Sequence, residues 1–82
     1  MSRRHDPQVG LARAIRKLRT DSELTQEDLG FRAEIHPTWI SRIESGEINP
    51  TWGNARRIAA GLYVPLPDLA TLAEEFEQRA AS

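Results

Sequence analysis

The side chains with chemistry to offer are concentrated between Thr25 and Asn49, in the stretch TQEDLGFRAEIHPTWISRIESGEIN. Nothing in it points to catalysis: it holds no nucleophile–base pair, no cluster of acids on one helix face and no glycine-rich phosphate loop. With two histidines and no cysteine in the chain, a zinc site has no adequate donor set. What the stretch offers is hydrogen bonding. Gln26 stands in the first turn of a helical pattern, beside free N–H groups that favour an anion. If Ile40 and Ile43 share the buried face of a second helix, then Pro37, Thr38, Ser41, Arg42 and Ser45 stay largely exposed on it. The guanidinium of Arg42 can bond guanine O6 and N7 together, a contact worth ~1–3 kcal/mol of discrimination. Its competing uses are a phosphate contact or a salt bridge to Asp28 or Glu44. Pro37 can give only an apolar contact, for instance to a thymine methyl, whereas Ser41 and Ser45 suit phosphate or water-mediated contacts.

Three residues of the stretch read two ways. The rotation of Trp39 lies between the buried and exposed faces, so its ring can pack on protein while the indole N–H meets a phosphate. His36 can cap the second helix or touch phosphate, and capping is the more economical use. Asn49, in the loop that follows, can also meet phosphate.

These residues need elements to hold them. Leu29 and Ala33 are four apart, Ile40 and Ile43 three apart, and Ile35 between them can drop into the angle of a tight turn. Two short helices meeting steeply, the second presented outward, make the unit whose second helix enters a DNA major groove. Thr25 can cap the first, with Asp28 at its third position in a short-armed capping box. His36 stands at the cap of the second, Pro37 at its first position where the missing N–H costs nothing, and Gly46 is a good terminator. Around this unit, a first helix is expected over about Gln8 to Arg19, with Leu11, Ile15 and Leu18 as its buried stripe. A fourth is expected over about Trp52 to Leu62, capped by Thr51, and a fifth over about Pro67 to Arg79. Residues 1–7, polar and closed by Pro7, read as a flexible arm, and 8–82 as one all-α domain with an extended last helix.

The 82 residues suffice for one modest core. No apolar run is long enough to span a bilayer, and the cysteine-free composition suits the cytoplasm. The formal net charge of −1 does not advertise nucleic acid, yet the charges are segregated. Arg3, Arg4, Arg13, Arg16, Lys17 and Arg19 crowd the first twenty positions, while Asp68, Glu74, Glu75 and Glu77 crowd the end. Two solvated helix faces explain this as well as a cationic docking face does. The arm arginines can track a phosphate backbone or a minor groove, although solvation accounts for Arg3 and Arg4 more simply.

The run LTQEDLGFRAEIHPTWISRIESGEINPTWGNARRIAAGL resembles the helix-turn-helix domain of the phage repressor, Cro and Xre family, over roughly Leu11 to Leu69. TQEDL, WISRIESG and the Pro-Thr before the fourth helix carry the likeness together. It implies a five-helix domain that binds double-stranded DNA, usually as a two-fold dimer, and regulates transcription; from the residues themselves no enzyme activity, cofactor, metal, small-molecule ligand or membrane partner is expected. Small controllers of restriction–modification systems are of this kind, as are antitoxins and phage repressors of similar size. A protein-binding adaptor on the same fold is the alternative, favoured by the neutral net charge. By the same resemblance Thr25 and Gln26 lie on the DNA side, with Gln26 at a phosphate. Thr38 and Arg42 match base-contacting positions, and Arg19 and Glu44 match a structural ion pair. Two departures concern turns: Glu23 and Glu34 stand where the family often has glycine, which implies strain or altered geometry. Gly30 replaces a usual alanine and still permits close approach.

The fifth helix is longer than a closing helix needs. Leu69, Leu72, Ala73 and Phe76, with Tyr63, Val64 and Leu66, offer an apolar surface that is divided between the domain's own core and an isologous dimer interface.

Overall fold

Most helices of this chain begin where the sequence supplies an acceptor for the leading N–H groups. The computed structural model describes residues 8–81, and the arm expected over 1–7 lies outside them. Within the described residues the chain is all helical: α1 (Val9–Asp21), α2 (Gln26–Ala33), α3 (Pro37–Glu44), α4 (Trp52–Gly61) and α5 (Leu66–Ala81). At α2 the Thr25 hydroxyl accepts from the Asp28 N–H, and the Asp28 carboxylate accepts from the Thr25 N–H, each at 2.9 Å. The backbone N–H of Thr25, and after it the Thr25 hydroxyl beside the carboxylate, hold the Asp28 carboxyl below the usual carboxylate range. His36 Nδ1 accepts from the Thr38 N–H at 3.1 Å, with Pro37 opening α3, and the Thr51 hydroxyl accepts from the Asn54 N–H at 3.0 Å. α1 is an exception. Gln8 gives it no side-chain cap. Instead Asn49 Oδ1 accepts from the Gln8 N–H at 3.1 Å, and the Glu77 carboxylate of α5 accepts from the Gly10 N–H.

The ends of α1 to α4 share one design. A residue in the left-handed region follows each helix: Glu23, Glu34, Gly46 and Tyr63. The next N–H then bonds back across the last turn, Leu24 to the Arg19 carbonyl, Ile35 to Gly30, Glu47 to Arg42 and Val64 to Ala59. The strain expected at Glu23 and Glu34 is therefore present, with φ of 60° and 59°. Gly30 is required by this geometry, since a Cβ there would stand 2.5 Å from the Ile35 carbonyl oxygen.

Ile15, Leu29, Ile40, Ile58 and Leu69 are fully buried and bring all five helices into one core, with Ile35 dropped into it from the turn. α1 lies along α5, α2 packs on α3 and α4, and α3 reaches α1. Gly10 lies directly against α5, where a Cβ would meet the Ala73 carbonyl oxygen at 2.3 Å. Several boundaries differ from expectation, the start of α1 by one residue and the end of α5, at Ala81, by two. α1 runs past Arg19 to Asp21, where Lys17 and Asp21 pair at 3.1 Å along its last turn. α4 ends at Gly61, with Leu62 as its cap residue. α5 starts at Leu66, because the Pro65 carbonyl accepts from the Asp68 and Leu69 N–H groups.

Leu69 and Ala73 are also corrected. Both are core residues, 1% and 9% exposed, and leave nothing for a partner. Leu66, Leu72, Val64 and Phe76 are half-buried against the same core, and Tyr63 is exposed.

Candidate nucleic-acid interface

α3 is held from behind. Ile40 and Ile43 are buried, and Glu44, at the end of the helix, turns its carboxylate toward α1. Arg19 meets it with two donors, Nε to Oε2 at 2.6 Å and a terminal nitrogen to Oε1 at 2.9 Å. Another Arg19 nitrogen donates to the Leu24 carbonyl at 2.8 Å. The Glu44 bond raises the Arg19 pKa further, against the lowering effect of burial. With side chains 12% and 4% exposed, this is a buried pair, and removing one partner from such a pair costs ~3–5 kcal/mol.

The same carboxylate reaches the proposed phosphate side. Gln26 Nε2 donates to Glu44 Oε1 at 3.1 Å, so one of the two amide protons is engaged within the domain. Gln26 is half-buried, and this bond ties the start of α2 to the end of α3.

The outward edge of α3 carries Thr38, Trp39, Ser41 and Arg42, all exposed, with Pro37 half-exposed at its start. Trp39, between faces in the sequence, is 47% exposed, and the Arg42 guanidinium lies 5.3 Å from its ring centroid. Arg42 does form an ion pair, but with neither of the expected acids. Its Nε stands 3.1 Å from the carboxylate of Glu47, beyond the helix end. Glu47 is the residue of this site that sequence reasoning missed. His36 caps α3 through Nδ1, which leaves Nε2 as the ring's donor. The Ser45 hydroxyl donates to the Arg42 carbonyl at 3.0 Å and in this arrangement has no proton for a phosphate. Asn49 is exposed, with its amide oxygen on the Gln8 N–H. The structure thus gathers Gln26, His36, Thr38, Trp39, Ser41 and Arg42 around α3, and gives Thr25, Ser45 and Asn49 bonds that shape helix ends.

One short helix thus has an inward isoleucine pair and carboxylate and an outward polar edge, an arrangement compatible with a helix that enters a groove. A model of the family described as "Helix-turn-helix domain" matches residues 11–72. The chain belongs to the helix-turn-helix domain family. Two relatives narrow the neighbourhood. Control protein C.BamHI of Bacillus amyloliquefaciens is 38% identical over 56 residues, 67% of this chain and 69% of that protein. Control protein C.MunI of a Mycoplasma species is 30% identical over 66 residues, 79% of this chain and 89% of that one. Among solved structures, the restriction-modification controller protein C.AhdI from Aeromonas hydrophila superposes with a TM-score of 0.73 at 27% identity, over 76% of this chain and 94% of that one. As a helix-turn-helix protein of this kind, the chain is a DNA-binding regulator of transcription.

Proposed function

We propose that this helix-turn-helix protein lays α3 in the major groove of a specific operator, with Arg42 reading a guanine. The observation that carries this is the division of α3 into two faces: Ile40, Ile43 and Glu44 are held inside while Thr38, Trp39, Ser41 and Arg42 face solvent. Gln26 and the His36 Nε2 flank that edge as phosphate donors, which position the domain without reading sequence. Thr25, Pro37, Ser45 and Asn49 complete the contact set of this reading, with Pro37 offering apolar contact.

One such module reads only a few base pairs. A two-fold dimer would read a palindrome with half-sites about 34 Å apart, and we assign its interface to the exposed parts of Tyr63, Val64, Leu66, Leu72 and Phe76. Likeness to two control proteins and to a restriction-modification controller supports control of such a system. The protein acts in the cytoplasm, on the duplex it regulates; no described helix is long and apolar enough to cross a membrane.

Selection of bound duplexes from a random pool, followed by titration of the best sequence and its single-base variants, tests the reading. Arg42→Ala should flatten preference at one position, by ~1–3 kcal/mol, while Gln26→Ala should weaken all duplexes alike. Full discrimination retained by Arg42→Ala would remove the base-reading role.

A further inference from the structure

We propose that Glu47 is a specificity-determining residue: its carboxylate keeps Arg42 off phosphates until a base edge outcompetes it. This rests on Arg42 as the base reader. The argument starts from the helix ends. The residue after the left-handed position is Leu24 beyond α1, Ile35 beyond α2 and Val64 beyond α4, each apolar, but Glu47 beyond α3. In this cap the backbone places that residue against the one five positions earlier, and here the Glu47 N–H donates to the Arg42 carbonyl at 2.9 Å. An apolar contact usually accompanies the motif. At this helix an ion pair takes its place, 3.1 Å from carboxylate to guanidinium. The pairing is therefore set by the way α3 ends.

Its strength suits a filter. The two side chains are 48% and 59% exposed, and an exposed pair of this kind changes an equilibrium by up to about fivefold. A bidentate guanine contact discriminates by about fivefold to a hundredfold, enough to draw Arg42 away. A single solvated phosphate offers no such margin. On a wrong sequence Arg42 stays on Glu47, its charge neutralised, and contributes nothing to non-specific attraction. Glu44, the other acid of the segment, is engaged by Arg19 and Gln26 and cannot play this part.

The test uses Glu47→Gln in the parent and in an Arg42→Ala background, on two duplexes: the best sequence recovered from the random pool and a scrambled duplex of equal length. The isosteric change keeps the backbone cap, and matching thermal melts verify folding. In the parent, Glu47→Gln should tighten binding to the scrambled duplex by up to about fivefold. The log–log salt slope on that duplex should steepen by about 0.9, one more phosphate neutralised. The selected duplex should gain less, so the ratio of affinities falls. In the Arg42→Ala background the effect should vanish. Equal tightening of both duplexes, or the same gain without Arg42, would overturn the proposal, since Glu47 would then act only through the general field. Arg42→Ala alone reports separately on the underlying base-reading role.

Discussion

Glu23, Glu34 and Tyr63 hold backbone angles that glycine adopts without steric penalty and that other L-residues adopt at ~1–2 kcal/mol. Glu34→Gly should therefore raise stability by up to ~1 kcal/mol, part of the relief being lost to the freer unfolded chain. Urea denaturation measures it, and a fall in stability would mean that the Glu34 side chain contributes more than its backbone costs. The strain at the two glutamates was legible because each stands where the family resemblance implies glycine. Tyr63 was not: nothing in GLYVP distinguishes a left-handed residue from the first residue of a loop. The partner of Arg42 escaped for a related reason. The acids weighed for it, Asp28 and Glu44, stand on the two helices of the unit, whereas Glu47 arrives from beyond the helix, through the cap.

Helices were legible where a side chain begins or ends them. Thr25, His36 and Thr51 all cap as their chemistry suggests, and the polar edge of α3 follows from the spacing of two isoleucines. The start of α1 was harder, because its acceptors, Asn49 and Glu77, belong to other elements. Two glycines test how elements meet. At Gly53, on the exposed first turn of α4, an added Cβ would find its nearest neighbour, the Thr51 hydroxyl oxygen, at 3.9 Å. Gly53→Ala should thus stabilise by up to ~1 kcal/mol. At Gly10 the methyl has no room against α5, and Gly10→Ala should destabilise by ~1–3 kcal/mol. Thermal melts of the two variants moving in the same direction would contradict this account of the α1–α5 contact.

At the level of the whole molecule, the core takes more of α5 than its sequence suggested, since Leu69 and Ala73 are needed inside. The dimer surface proposed above is correspondingly narrower, reduced to the exposed parts of Tyr63, Val64, Leu66, Leu72 and Phe76. Tyr63 is 79% exposed, with the Arg32 guanidinium 4.6 Å from its ring centroid. Sedimentation equilibrium should show the parent as a dimer. Tyr63→Asn, which tolerates the left-handed backbone, and Leu72→Glu should each shift it toward monomer, with circular dichroism confirming that helix content is kept. If both variants sediment as the parent does, this face is not the interface.

The borrowed capping of α1 has a consequence for how the molecule comes apart. Two amides at its start, those of Gln8 and Gly10, are closed by residues 41 and 67 positions downstream, so the start of α1 is completed only when Asn49 and Glu77 are in place. Trimming of α5 by a carboxypeptidase would, on reaching Glu77, unlatch the start of α1 too. The first turn of α1 is thus kept only as long as α5 is.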